Sequence, residues 1–312
     1  MNAVSRHALM LCLMSSVFVQ AQQSTDPKIV FTSYRDGNKE LYAMAADGSQ
    51  QVRLTNTSGW EETPQWSPDG RRIAFSYVSP GSDWEIFVMD ADGGTRINLT
   101  RLATDDRSPV WSPDGTQIAY QSFSRGSWEI FIMNADGSNK RNLTNHPASD
   151  RSPSWSPDGT RMAFISLRDG LSDIFVMDAD GANVTNLTKG GWSQTPSWSP
   201  DGNQIAYASF IEANYELYLM DANGGNKTRL THNAAWDGNP SWTQDGKQIC
   251  FASDRDGNVE IYLMDMFIGV AHKNLSDHQG YDIEPSWFGS SLPRTVTPND
   301  RLLATWSEIK SR

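Results

Sequence analysis

Trp66-Ser67-Pro68-Asp69-Gly70 returns unchanged at Trp111, Trp155 and Trp198, reappears as Trp242-Thr243-Gln244-Asp245-Gly246, and leaves a last Trp at position 287. The intervals between these tryptophans are 45, 44, 43, 44 and 45 residues. A near-constant period of that length marks one supersecondary unit used repeatedly, and this repetition decides the fold before any single residue is interpreted.

Working outward, each unit has the same internal order. Ile29-Val30-Phe31 opens the first unit, followed by a loop through Arg35-Asp36-Gly37 and then Glu40-Leu41-Tyr42-Ala43-Met44. A turn at Asp47-Gly48, an outer segment ending at Leu54-Thr55 and the approach Pro64-Gln65-Trp66 complete it. Later units open with Ile73-Ala74-Phe75, Ile118-Ala119-Tyr120, Met162-Ala163-Phe164, Ile205-Ala206-Tyr207 and Ile249-Cys250-Phe251. Short β-branched and aromatic runs bounded by Gly, Asp and Pro are strand signals, and no stretch has helical periodicity.

Four strands per unit, six times over, predict an all-β six-bladed β-propeller with four antiparallel strands per blade. The chain starts on a second strand at Ile29 and ends on a first strand at Pro285-Ser286-Trp287. Joining that C-terminal strand to the N-terminal blade closes the ring and removes two sheet edges. Ser-Pro-Asp-Gly reads as a tight hairpin: Pro presets φ, Asp bonds nearby backbone and Gly accepts positive φ. Trp66, Trp111, Trp155, Trp198, Trp242 and Trp287 are expected as anchors between neighbouring blades.

The predicted boundaries are a signal peptide at 1–21, a short segment at 22–28, the propeller at 29–288 and a C-terminal tail at 289–312. The leader has a basic start at Arg6, an apolar run from Ala8 to Val19 and Val19-Gln20-Ala21 as a cleavage site. A dozen apolar residues fall short of the roughly 20 that span a bilayer. Cys12 follows Leu11, which disfavours lipoprotein processing. Removing the leader takes away Arg6 and moves the net charge from −11 to −12. Such a chain repels nucleic acid and anionic lipid. Only Cys250 would remain, so no intrachain disulfide forms.

These residues resemble the TolB-type, WD-like propeller repeats of bacterial envelope proteins. The resemblance rests on Pro-x-Trp-Ser-Pro-Asp-Gly, Ile-Ala-Phe/Tyr, Glu-Ile-Phe/Tyr-x-Met-Asp-Ala-Asp-Gly and Asn-Leu-Thr, and it spans Ile29 to Trp287. It implies a periplasmic or secreted protein whose partner is an envelope protein or peptide. Few residues separate Ala21 from Ile29, so the expectation is a propeller without the N-terminal α/β domain of TolB itself. Similar repeats also occur in peptidase accessory domains and polysaccharide lyases.

Chain order puts the Ser-Pro-Asp-Gly and Asp-Gly hairpins on one face and the variable loops on the other, where binding usually resides. Five residues before each Trp stand Glu61, Asp106, Asp150, Ser193, Asp237 and Asp282; one position earlier come Trp60, Asp105, Ser149, Trp192, Trp236 and Tyr281. Together with Arg107 and Arg151, these are expected to ring the channel mouth and grip a basic, aromatic-rich peptide or a cation. The alternative is that each acid caps a turn or bonds backbone of the next blade. Glu40, Glu85, Glu129, Asp173, Glu216 and Glu260, one per unit, read as structural.

Chemistry is thinly represented. Asp90-Ala91-Asp92-Gly93 looks like a calcium loop, but its sixth and twelfth positions are Thr95 and Arg101 where Gly and Glu are required. His146, His232, His272 and His278 show no ligand spacing. No metal ligands and no cofactor are expected, calcium in the channel being the one ion the acidic ring would suit. The sequence therefore reads as a monomeric, exported binding module that performs no catalysis. The rival is a carbohydrate-active lyase or glycosidase using pairs such as Glu61-Glu62.

Overall fold

The computed structural model describes residues 28–101, 104–267 and 272–289. The expected leader and the tail beyond Gly289 lie outside the described residues. Within them all regular structure is strand: 24 strands in six four-stranded antiparallel sheets. Blade 1 combines Asp282–Phe288 with Lys28–Ser33, Glu40–Ala45 and Val52–Arg53. Blades 2 to 6 follow in order over residues 60–98, 106–142, 150–186, 192–229 and 237–274. Trp287 pairs with Ile29 and Ser286 with Val30, so the C-terminal strand closes the ring as expected.

The core lies between blades. Trp155, from the inner strand of blade 4, packs with Ile130, Ile132 and Leu143 of blade 3 and Met162 and Phe164 of its own blade. Trp66 joins Val30 and Leu41 of blade 1 to Ile73 and Phe75 of blade 2. All six repeat tryptophans are buried. In the hairpin that follows, Ser67 Oγ donates to Asp69 Oδ1 at 2.6 Å and accepts from Arg72 N–H at 2.9 Å. Gly70 sits at φ 67°.

The acid opening each third strand ties its blade's outer edge down. Glu216 accepts from Arg229 Nη2 at 2.7 Å, Thr231 Oγ1 at 2.5 Å and Asn233 N–H at 3.2 Å. Asp173 accepts from Asn186, Thr188 and the backbone of Gly190 and Gly191. The Thr of Asn-Leu-Thr thus donates to this acid, and it accepts from the third strand: Ile86 N–H reaches Thr100 Oγ1 at 3.0 Å. The Asn caps the turn beyond, with Asn98 Oδ1 accepting from Thr100 N–H.

One feature of the inner strands breaks simple alternation. Three residues before each Trp, Thr63, Ser108, Ser152, Thr195, Asn239 and Glu284 all have positive φ, between 48° and 58°. Pairing to the second strand skips there, between Glu62 and Gln65 in blade 2 and between Arg151 and Ser154 in blade 4. These are β-bulges, and each is followed by Pro. Proline has no N–H for a ladder, and the innermost strand is the sheet edge where its absence is tolerated.

Candidate functional site: the loop-face mouth of the channel

Because side chains alternate with period two, one extra residue reverses which side every earlier residue faces. After the bulge, Gln65 faces the channel while Pro64 and Trp66 face the core. Before it, the parity flips: Glu61 points inward and is fully buried, whereas Trp60 and Glu62 face out. The same holds for Asp106, Asp150, Asp237 and Asp282, each with no exposed surface, and for Ser193. Plain alternation would have put these acids on the channel wall. The structure places them in the blade interior instead.

Once buried, the acids take partners that differ between blades. Asp150 pairs with Arg168 at 2.7 Å, Asp237 with Arg255 at 2.9 Å and Asp282 with Arg35 at 2.7 Å. Each of these arginines comes from a Ser-x-Arg-Asp-Gly loop and lies over aromatic rings of its own blade, as Arg168 does over Phe164 and Phe175. Blades 2, 3 and 5 lack that arginine. There Glu61 accepts from Thr57 Oγ1 at 2.9 Å, and burial, aided by the Glu40 charge, pushes its carboxyl up to about 7. Neither oxygen of Asp106 has a hydrogen-bond partner in good geometry among the described residues. Burial pushes that carboxyl up to about 6, and the Ser122 hydroxyl opposes the shift.

The channel wall is formed by the six bulge residues, the proline that follows five of them, and the residue before five of the tryptophans. Thr63, Ser108, Ser152, Thr195, Asn239 and Glu284, with Gln65, Val110, Ser154, Ser197 and Ser241, line a cavity of about 170 Å³. Glu284 is the single carboxylate in that lining. It accepts from Thr32 Oγ1 at 2.9 Å and Thr63 N–H at 2.7 Å, while burial and then the Glu62 charge hold its carboxyl above the usual range.

At the mouth, four residues before each Trp, stand Glu62, Arg107, Arg151, Gln194, Gly238 and Ile283. Glu62 is paired to Lys39, and Gln194 Nε2 donates to Tyr215 OH at 2.6 Å. Arg107 lies 4.3 Å from the Trp84 ring centroid, and Arg107 and Arg151 each lie 5.6 Å from that of Trp128. Among the expected aromatic residues, Trp60, Trp192 and Tyr281 are exposed and Trp236 is half-buried. Trp84, Trp128 and the channel wall were not singled out from the sequence, and Glu62 only as half of an acid pair. The Pro two places before every Trp was the signal for the wall, since a proline repeated inside a strand points to a bulge.

Exposed apolar side chains gather on this face. Trp60, Phe123, Leu167, Leu171, Trp192, Phe210, Ile211 and Tyr281 are at the loop-face ends of strands or in the loops joining second to third strands. Only Val52, Ile97 and Phe267 are exposed elsewhere among the described large hydrophobics. The opposite face carries the uniform hairpins. There Gly48, Gly93 and Gly181 press on the preceding blade, with no room for a Cβ against Leu275, Leu54 and Leu143 carbonyl oxygens. The four histidines stand in separate places, and no three Asp, Glu, His or Cys side chains converge as ligands among the described residues.

Comparison with known proteins follows the same architecture. The sequence profile described as the TolB beta propeller domain matches residues 15–128, 63–195 and 188–291. A TolB homolog of Chlorobaculum tepidum is 44% identical over 54 residues, 17% of this chain and 12% of that protein. The Tol-Pal system protein TolB of Desulfosudis oleivorans is 41% identical over 59 residues, 19% of this chain and 14% of its own length. Both alignments are little longer than one repeat. The crystal structure of TolB from Acinetobacter baumannii superimposes with a TM-score of 0.73 at 25% identity, covering 83% of this chain and 66% of that one.

Proposed function

This chain belongs to the TolB β-propeller family, and from that premise we propose that it is an exported module that binds an envelope protein or peptide at the loop-face mouth of its channel, without catalysis. The carrying observation is the gathering of exposed aromatic and aliphatic side chains on that face, opposite a face of uniform turns. Exposed apolar patches of this kind, rimmed by charge, are what protein recognition uses. The channel behind the mouth supports the same reading, because hydroxyl and amide side chains set between prolines in its wall can bond the main chain of an entering peptide. Export rests on the leader read at residues 1–21, and the Desulfosudis oleivorans relative named as a Tol-Pal system protein supports an envelope setting.

The test is crosslinking and capture from an envelope extract, comparing the intact protein with Trp60→Ala/Trp192→Ala. Both tryptophans are about half exposed, 47% and 54%, so their removal leaves the blade cores intact. Loss of a specific partner in the variant, with an unchanged melt, is the expected result. Identical partners for both proteins would remove the mouth from consideration. Release of reducing or unsaturated ends from polysaccharides by the purified protein would turn the reading to an enzyme.

A further inference from the structure

The positive charge of the mouth is concentrated in one place. Arg107 of blade 3 and Arg151 of blade 4 occupy the same register position and share Trp128, at 5.6 Å each. Asp105 reaches Arg107 at 3.3 Å, with about a third of each side chain exposed. Arg107 Nε is buried without a hydrogen-bond partner among the described residues. Arg151 has no salt bridge and no side-chain hydrogen bond among the described residues, and burial together with the Arg107 charge lowers its proton affinity. Two guanidinium groups that share one aromatic ring and have one carboxylate nearby repel each other, in a chain whose formal net charge is −11. An arriving anion relieves that repulsion.

The far side of the mouth is apolar. Blades 6 and 1 put Gly238 and Ile283 at the register of the two arginines. The Trp236 ring lies against Gly238 so closely that a Cβ there would stand 2.5 Å from Trp236 Cζ2. The mouth thus offers a cationic half and an apolar half across one opening.

We propose that Arg107 and Arg151 form a carboxylate receptor for an acidic side chain of an extended peptide entering the channel, an inference that rests on the peptide-binding reading above. Guanidinium groups take carboxylates through paired N–H donors, and cation–π contact with Trp84 and Trp128 restrains the two side chains in advance. A sugar acid carries the same carboxylate, but saccharides also need a free aromatic face beside the guanidinium groups, and the exposed Trp60, Trp192 and Tyr281 belong to blades 2, 5 and 1. Trp84 is buried, and Trp128 is covered by both guanidinium groups and by the edge of Phe123 at 5.6 Å. The peptide main chain, by contrast, finds the hydroxyls and amides of the wall immediately below.

The experiment selects random decapeptides displayed on phage against the full chain, then measures synthetic versions of the selected peptides by fluorescence anisotropy. Selected sequences are expected to share an Asp or Glu. Exchanging it for Asn or Gln, or using Arg107→Ala/Arg151→Ala, should weaken binding roughly tenfold to a hundredfold, as for loss of charge-assisted hydrogen bonds. Arg151→Gln, at an exposed position, gives the same direction should the double variant fold poorly. Rising salt should weaken binding to the intact protein more than to the variants. Peptides without an acid, indifferent to both arginines yet lost with Trp60→Ala/Trp192→Ala, would overturn the receptor and leave the binding module standing. Absence of any selected peptide would overturn both. Oligogalacturonate binding that needs both arginines, with no binding of acidic peptides, would assign the site to sugar acids and defeat the proposal.

Discussion

Replacing Asp106 with Asn should stabilise this protein above neutral pH and leave it unchanged in acid. The side chain has no exposed surface, and neither oxygen has a hydrogen-bond partner in good geometry among the described residues, the Ser122 and Thr100 hydroxyls offsetting only part of the burial. Its carboxyl is raised from 3.8 to about 6, first by burial. A carboxylate raised by folding binds a proton more tightly in the native state than in the unfolded one, so stability falls as pH rises from about 4 to about 6. Above that window the full penalty is present; below the unfolded value it is absent. Two units at about 1.4 kcal/mol each give roughly 3 kcal/mol, which moves Tm by about 5 °C in a domain of this size. Asn is neutral at every pH and carries no such penalty. Calorimetry of wild type and Asp106→Asn between pH 4 and pH 8 reads the difference directly. Other titrating groups, including Glu61 near pH 7, cancel in the subtraction. A gain at pH 8 that vanishes at pH 4 supports the reasoning. Equal shifts at both pH values, or a loss at pH 8, would show that Asp106 is satisfied as an anion. Asp150→Asn provides the contrast: it strips Arg168 of its buried counter-charge and should cost about 3 kcal/mol or more at pH 7.

Two further outcomes test the architecture. Trp155→Ala removes the anchor between blades 3 and 4 and should lower stability by roughly 3 to 5 kcal/mol; an unchanged melt would refute the anchoring role. Gly181→Ala combines φ 95° with a Cβ placed 2.5 Å from the Leu143 carbonyl oxygen of the preceding blade, whereas Gly170→Ala has φ 91° and open space. Urea unfolding should therefore show a larger loss for Gly181→Ala than the ~1 kcal/mol expected from backbone strain alone at Gly170.

What could be read from the sequence followed from repetition. Six copies of one unit fixed strand number, blade number and the closure of the ring, because each copy must bury the same faces. The acids of the third strands were also legible as structural, since a residue present in every unit reports on the unit. Side-chain direction in the inner strand was not legible by the same means. The rule of two, applied back from Trp66, puts Glu61 in the channel. A bulge at Thr63, adding one residue, puts it in the core. The arginines that pair with Asp150, Asp237 and Asp282 escaped for a related reason. They are 18 residues from their partner in blades 4 and 6 and 247 in blade 1, and only the ring brings the last pair together.

The bulge also explains why the mouth differs from blade to blade while the rest does not. Residues five before each Trp are buried, so their variation is constrained: an arginine loop meets the acid in blades 4, 6 and 1, blades 2 and 3 bury Glu61 and Asp106 with raised carboxyls, and blade 5 has the neutral Ser193. Residues four before each Trp, save the buried Gly238, keep some exposed surface and are less bound by that constraint. They run Glu62, Arg107, Arg151, Gln194, Gly238 and Ile283, six different solutions save for the adjacent arginines. A scaffold made from identical units can recognise an asymmetric ligand only through positions where the units disagree. The unit's most regular residues therefore build the ring. The register just above the bulge, with two arginines on one side and Trp236 beside Gly238 on the other, is where specificity for one partner has room to be written.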